Sequence, residues 1–284
     1  MAFLKDLNYV VSSIWRDQSN RDQRLRRLSY FVGWQLWKRS VRVPILLNLS
    51  NGSRLIAYPD CVVSAGFIYQ RVPDFRDISF LRLHVHGAAL VDVGANVGSI
   101  CLQLADQVDR AFLFEPNPIA ASRARENLLL NNLPFEVHEV ALSDVCQELE
   151  FEDAGGVDTC NRTVVGFKTS VPTRKVTGVT FDRFLAEREH PLGPVGLVKI
   201  DVEGHENAVL RGMKGFLSSE RPRLMMFEYL ARTNLSETLS ILRDVDYRVF
   251  QLNSEGASLV TDTAPALQNL FACPAELSST FGLR

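Results

Sequence analysis

The sequence predicts an α/β protein built on a parallel, doubly wound sheet behind a helical N-terminal segment. Three features carry that prediction. An apolar run, Ala88 to Val93, passes through Gly94, Asn96 and Gly98 into a helical pattern, Ile100 to Val108. A second apolar run, Ala111 to Phe114, ends in Glu115, 21 residues past Gly94. Strand-like and helix-like stretches then alternate as far as Arg223 to Tyr229, the pattern of a parallel sheet with crossover helices.

A strand, a tight glycine turn and a helix in that order make a cofactor site. Gly94 lets the chain turn sharply, and Gly98 removes a side chain where a ligand comes close to the backbone. Asp92 sits at the carboxyl end of the strand, where open parallel sheets bind ligands. The spacing Gly94-x-x-x-Gly98 differs from the dinucleotide fingerprint G-x-G-x-x-G. Asn96 holds the second glycine position and Ser99 lies near the third. The missing glycine disfavours a pyrophosphate on the helix N-terminus and suits a nucleoside without phosphate, such as S-adenosylmethionine. Glu115 stands close to the ~20-residue offset of an acid that binds ribose hydroxyls, and a carboxylate accepts from both hydroxyls at once.

Composition sets the outer bounds. The 284 residues allow one large domain or one domain with a substantial extension, and 46% hydrophobic with 23% charged residues is ordinary for a globular chain. A net charge of −2 provides no global field for nucleic acid. Cys61, Cys101, Cys146, Cys160 and Cys273 form no C-x-x-C pair, which reads as reduced thiols in a cytoplasmic protein. Met1 to Val11 is too short and polar for a signal peptide.

Residues 1 to 43 read as helices, with Leu4, Leu7, Val11, Ile14 and Trp15, then Leu25, Leu28, Phe31, Val32 and Leu36, at helical spacing. Arg16, Arg21, Arg24, Arg26, Arg27, Lys38, Arg39 and Arg42 make a basic face, either solvated or a docking surface for an acidic partner, lipid or glycan. Trp34 and Trp37 are expected in the core. Asn51-Gly52 between Ile45–Leu47 and Leu55–Ala57 signals a hairpin. Ile78 to His86 reads as a helix, with His84 and His86 at its end.

Pro116-Asn117-Pro118 opens a helix running to about Asn131, and Phe135 to Val140 is a third strand. In the loop Ala141 to Asp144, Asp144 either accepts from an adenine amino group or, with Ser143, caps a turn. Residues 145–180, with Gly155-Gly156, Gly166 and Thr163-Val164-Val165, read as a hairpin insertion. Thr180 caps a helix. Val195 to Ile200 is a fourth strand, leading into Asp201-Val202-Glu203-Gly204-His205-Glu206 and a helix from Asn207 to Met213. Glu206 suits a helix N-terminus; that role leaves Lys199 in an apolar strand and the density of Asp201, Glu203 and His205 unexplained. Arg223 to Tyr229 is a fifth strand containing Glu228. Leu235 to Val245 is a helix, and Tyr247 to Leu252 and Asn269 to Cys273 form a closing antiparallel pair.

Val91-Asp92-Val93-Gly94-Ala95-Asn96-Val97-Gly98, Phe114-Glu115-Pro116-Asn117, Ser143-Asp144, Thr180-Phe181-Asp182, Lys199 to Glu206 and Phe227-Glu228 together resemble the FkbM family of S-adenosylmethionine-dependent methyltransferases. The resemblance implies a Rossmann-like, seven-stranded class I methyltransferase sheet with helices on both faces, over residues 88–284. Residues 1–87 are then an extension on the substrate side. It implies methyl transfer to a hydroxyl of a sugar, glycolipid, polysaccharide or natural product. Asp92, Gly94, Asn96 and Gly98 would line the methionine end of the cofactor, Glu115 and Asn117 the ribose, and Ser143 and Asp144 the adenine. Asp201, Glu203 and His205 would face the acceptor.

An alcohol needs a base, and His205 is the first candidate because its ordinary pKa lies near ~6.5. Glu203 is the second, or orients the histidine. Asp201 holds the acceptor or, with Glu228, a divalent metal. The rival readings are a non-catalytic S-adenosylmethionine-binding partner subunit and an NAD(P)-dependent oxidoreductase; the latter accounts for Glu115 but not for the acidic cluster. The expected partner is a small-molecule or glycan acceptor, with no nucleic acid. Contact with anionic lipid or glycolipid through the basic N-terminal helices is a further expectation.

Overall fold

The computed structural model describes residues 10–153, 163–164, 169–230, 232–261 and 268–283. Residues 10–16 are helical, followed by α1 (Arg24–Ser40). The Asn51-Gly52 signal is met by an antiparallel hairpin of β1 (Ile45–Asn48) and β2 (Arg54–Ala57). Two helices follow, α2 (Val62–Tyr69) and α3 (Phe75–His84). Then come β3 (Ala89–Val93), α4 (Ser99–Gln103), β4 (Arg110–Phe114), α5 (Pro118–Leu129) and β5 (Phe135–His138). A small sheet of β6 (Ala141–Leu142), β7 (Glu148–Glu152) and β8 (Thr173–Val179) interrupts the alternation. It resumes with α6 (Phe181–Ala186), β9 (Val195–Ile200), α7 (Glu206–Gly212), α8 (Lys214–Ser219), β10 (Leu224–Glu228) and α9 (Leu235–Asp244). The chain closes with β11 (Tyr247–Asn253), β12 (Gly256–Leu259) and β13 (Asn269–Pro274).

The main sheet runs β12-β11-β13-β10-β9-β3-β4-β5. It has eight strands rather than the expected seven. The extra one, β12, is a short half-exposed edge strand paired antiparallel to β11. From β3 the chain winds outward through β4 to β5, then returns to lay β9 on the other side of β3. That reversal opens a crevice beyond the carboxyl ends of β3 and β9, the place where such sheets bind ligands.

Alternation along the strands sorts the core into two layers. Val91, Val93, Phe112, Phe114, Val198, Ile200, Met225 and Phe227 pack under Phe181, Val209, Phe216, Leu239 and Leu242 on one face. Leu90, Leu113, Leu197, Leu224 and Met226 pack on the other against Leu102, Ala124 and Leu128, and there Leu55, Phe67, Ile78, Leu81 and Val85 join them. Caps delimit the helices where the sequence places them. The Asn117 side chain accepts from the Ile119 and Ala120 amides with Pro118 in the first turn, and Thr180 accepts from the Arg183 amide.

Several expectations need correction. The helix after the glycine turn stops at Gln103 and gives way to turns, whereas the apolar pattern reaches Val108. Helix α3 spans Phe75–His84 rather than Ile78 to His86: its first turn carries no periodic signal because Phe75 stays exposed while Ile78 and Leu81 turn inward, and Val85 is already extended, so His86 lies beyond the helix. In α1 only Phe31 and Trp34 are buried; Leu25, Val32 and Leu36 face outward, and Trp37 is 38% exposed. Ala141 and Leu142 form a strand rather than a loop. Leu4, Leu7, Gly155, Gly156, Cys160, Val165 and Gly166 lie outside the described residues.

The out-of-place lysine now has partners. Lys199 on β9 stands in register with Asp92 on β3, and both side chains are almost wholly buried. Its Nζ lies 3.2 Å from Asp92 Oδ1 and 3.7 Å from Asp201 Oδ2, and donates to the Gly94 carbonyl at 2.8 Å. Burial alone would push the ammonium down, but Asp92 and Asp201 hold it above its ordinary value. Removing one partner of such a pair strands a buried charge and costs about 3–5 kcal/mol. Lys199→Met is therefore expected to lose a substantial part of the folding free energy in urea unfolding. Adding Asp92→Asn should restore part of that loss, since no charge is then left alone. A Lys199→Met variant as stable as the parent would show that the pair does not hold the sheet.

Candidate functional site

The crevice is built from the ends of neighbouring strands. Gly94 leaves β3 at φ +72°, and a Cβ there would lie 1.8 Å from the Asp201 carbonyl oxygen. This glycine is required because the backbone beyond β9 passes directly over it. The Gly98 position corrects an expectation. Its φ of +78° requires glycine, but a Cβ would meet Leu113 and Ala124 at ordinary contact distance, so it faces the packing beneath α5 and not a ligand.

Between these loops lies a cavity of about 300 Å³, within the size class of small-molecule sites. One wall carries Glu115, only 6% exposed. Its Oε2 accepts from the Asn96 amide and its Oε1 from the Asn117 amide, both at 2.8 Å. Burial raises this carboxyl to about 7 against the opposing pull of the two amides. The Asn96 side-chain oxygen, also in the lining, is buried without a hydrogen-bond partner among the described residues.

The opposite wall carries Asp201, Glu203 and Glu228, each offering a carboxylate oxygen within 4.8 Å of the others. Such oxygens can hold a hard divalent cation. Burial, then Asp201 and Glu203, raise Glu228 to about 7, and its Oε2 is buried without a partner among the described residues. Burial and Asp201 also raise Glu203, against Arg232. Arg232 donates to the Glu203 carbonyl and carboxylate at 2.8–3.0 Å. Glu206 ties this loop down from below, accepting from the Val202 and Gly204 amides.

The structure separates residues that the sequence sets side by side. His205 does not line the cavity of Glu115. Its Nε2 lies 2.9 Å from Ser143 Oγ in a neighbouring cleft, with Asp144, Arg211 and Arg232. Gly204, at φ +102°, turns the chain so that Glu203 and His205 serve different clefts. Burial lowers the imidazole pKa and leaves the ring neutral at pH 7. Asp144 is ion-paired with Arg211 at 2.8 Å. Val140, Ala141 and Leu142, just before Ser143, are the residues of that loop that line the Glu115 cavity. Asp92 lies beneath the crevice against Lys199 rather than in its lining. Asn117 is in the lining and caps α5.

Not every lining residue has a signal in the sequence. Asp74, at the start of α3, reaches the cavity from the N-terminal side. Burial raises its carboxyl, and Asp77 and Asp201 add to the rise. It shares a conformational mark with its neighbours. Of seven described non-glycine residues at positive φ, three line this cavity: Asp74 at +53°, Asn96 at +49° and Glu203 at +55°. Strained backbone collects at functional sites.

Residues 92–249 match the methyltransferase FkbM domain family. The hexuronic acid methyltransferase AglP of Haloferax volcanii is 33% identical over 159 residues, which are 52% of this chain and 62% of that protein; the match thus spans less than two thirds of that relative. Among solved structures, a tRNA (uracil-54, C5)-methyltransferase of Pyrococcus abyssi aligns with TM-score 0.41 and 16% identity, over 81% of this chain and 43% of its own. A SAM-dependent O-methyltransferase of Thermotoga maritima aligns with TM-score 0.39 and 13% identity, over 82% and 93%. The family match covers more than half of the chain and includes both walls of the crevice described above; the chain belongs to the FkbM methyltransferase family.

Proposed function

We propose that this chain transfers a methyl group from S-adenosylmethionine to a hydroxyl of a sugar, free or carried on a glycolipid, polysaccharide or natural product. The observation that carries the reading is one crevice with a buried, amide-bound Glu115 on one wall and three converging carboxylates on the other. The family supports the reaction, and the name of the AglP relative supports a sugar acceptor.

The donor set fits the cofactor. Glu115 has lone pairs left for two ribose hydroxyls, and the partnerless Asn96 oxygen suits a donor group of the ligand. Asn117 completes the ribose side. Gly94 and Asn96 border the methionine end, with Asp92 beneath them through Lys199 and Gly98 starting the helix behind. Val140 to Leu142, running on into Ser143 and Asp144, border the adenine. S-adenosylmethionine, when bound, supplies a methyl group on a positively charged sulfur, and the chain must supply a place for the acceptor and a base for its proton. The Glu228 carboxyl, raised to about 7, is matched to that task, with Oε2 as the oxygen left to take the proton. Glu203, held by Arg232, and Asp201 orient the acceptor. His205 acts through Ser143 as a positioning residue. Residues 1–87 form the acceptor side, since Asp74 and Val63 come from that segment, and residues 88–284 form the methyltransferase domain. A second reading, favoured by the close approach of Asp201, Glu203 and Glu228, has the three hold a divalent cation that acidifies the hydroxyl. Contact of the basic N-terminal helices with anionic lipid or glycolipid is a separate part of the reading and does not bear on the methyl transfer.

Calorimetric titration should show S-adenosylhomocysteine binding and no NADH binding, with the former lost in Glu115→Ala; binding of NADH alone would overturn the reading. Glu228→Gln should lower kcat by about 10²–10⁴-fold and abolish the rise of activity through pH 7 that a base of that pKa imposes. Glu203→Ala and His205→Ala should lower turnover while S-adenosylhomocysteine still binds. Full activity in all three variants would remove the assignment, and activity lost to a chelator and restored by Mg²⁺ would favour the cation over the base.

Glu115 also makes a stability prediction. Its carboxyl titrates near 7 in the folded chain and near 4.5 when unfolded. The folded state therefore holds the extra proton between those values, and its stability falls as pH rises through that window. In Glu115→Gln this contribution is absent, so Tm should fall less from about pH 4.5 to 7 than in the ligand-free parent. Identical pH profiles would show that Glu115 is not buried as described.

A further inference from the structure

A second cavity, of about 680 Å³, lies between α1, the β1–β2 hairpin and α2, away from the methyl-transfer crevice. Trp34, Trp37, Ile45, Leu47, Phe67 and Ile68 give it apolar walls, and three arginines, Arg26, Arg27 and Arg71, edge it with no acidic residue among the described residues of the lining. Arg27 donates to the Phe67 and Ile68 carbonyls rather than to a carboxylate. Its charge is disfavoured by burial and by the like charges of Arg26 and Arg71, with Tyr30 and Asp17 opposing. Asp17 itself is engaged by Ser19 and Gln70. The cavity thus joins an apolar trough to an excess of positive charge.

The surface around it has the same dual character. Residues 15–46 hold eight of the chain's 31 Lys and Arg and two of its 33 Asp and Glu. They also hold nine of the sixteen large apolar side chains exposed among the described residues. On α1, Arg26, Tyr30, Gly33 and Trp37 fall on one stripe that edges the cavity. Leu25, Val32 and Leu36, at i, i+7 and i+11, make a neighbouring stripe that is 75%, 55% and 64% exposed. Aromatic, aliphatic and basic side chains sharing one exposed helical face are the composition of a segment lying in a membrane interface.

We infer that this face rests on an anionic membrane leaflet and that the cavity takes one acidic lipid molecule, its phosphate at Arg26, Arg27 and Arg71 and the start of its acyl chain along Trp34 and Phe67. The inference stands apart from the methyl-transfer reading, since none of these residues lines the other crevice.

All three tryptophans, Trp15, Trp34 and Trp37, lie in this segment, so their fluorescence reports directly on lipid contact. The full chain should bind phosphatidylglycerol-containing vesicles about tenfold more tightly than phosphatidylcholine vesicles. Brominated phosphatidylglycerol chains should quench the tryptophans. The double variant Arg26→Glu/Arg71→Glu should lose about tenfold in vesicle binding, whereas Arg110→Glu/Arg248→Glu, with the same charge change at exposed positions elsewhere, should not. The urea-unfolding midpoint should be the same in all three proteins, which separates loss of lipid contact from loss of the fold and does not depend on the methyl-transfer reading. Equal binding to both vesicle types, equal loss in both double variants, or binding of glycerol phosphate without quenching by the brominated chains would each overturn the inference. The last result would mark a site for a soluble anion.

Discussion

Lys199 holds the centre of the molecule together. A lysine between two parallel strands is costly unless its charge is met, and here Asp92, Asp201 and the Gly94 carbonyl meet it from three directions. Each partner belongs to a different piece of the crevice. Asp92 is on β3, Gly94 begins the turn after it, and Asp201 begins the loop after β9. One ammonium therefore fixes the register of the two central strands and the position of both loops that leave them. Hydrophobic burial on the two faces stabilises the sheet more in total, but it is non-directional and would tolerate a shifted loop. The buried charge would not.

The acid-rich wall follows from the same geometry. Asp201 partly neutralises the lysine below it and at the same time raises the proton affinity of Glu203 and Glu228 beside it. Carboxylates this close do not all ionise easily, so one of them retains a proton near neutrality. Arg232 steadies Glu203 and Gln268 donates to one oxygen of Glu228, which leaves Glu228 Oε2 buried without a partner among the described residues.

Much of the fold and part of the candidate site were legible in the sequence because they are local. A strand, a glycine turn, a helix and a spaced acid are contiguous, and Gly94, Asn96, Glu115 and Asn117 all stand where that pattern puts them. Lys199 was visible only as an anomaly, since its partner Asp92 becomes a neighbour through strand pairing. Asp74 gave no signal, because a lone acid before a helix acquires meaning only when α3 packs beside the crevice. Strand β12 escaped because a short, half-exposed edge carries little alternation. His205 shows the opposite error. It stands two residues from Glu203 in an apparent motif, yet the intervening glycine sends it into another cleft. Exposed Leu25, Val32 and Leu36 obey helical spacing as well as core residues do, and periodicity alone does not say which stripe faces inward.

The contact at Gly94 has a consequence for how the site meets its ligands. With no room for even a methyl group between that residue and the Asp201 carbonyl, the two loops on either side of the crevice are locked against each other before anything binds. Their shape is a property of the folded sheet and does not await a ligand. Little loop ordering then has to accompany association, so the free energy of each contact made by the arriving molecule appears as affinity instead of being offset by lost chain entropy.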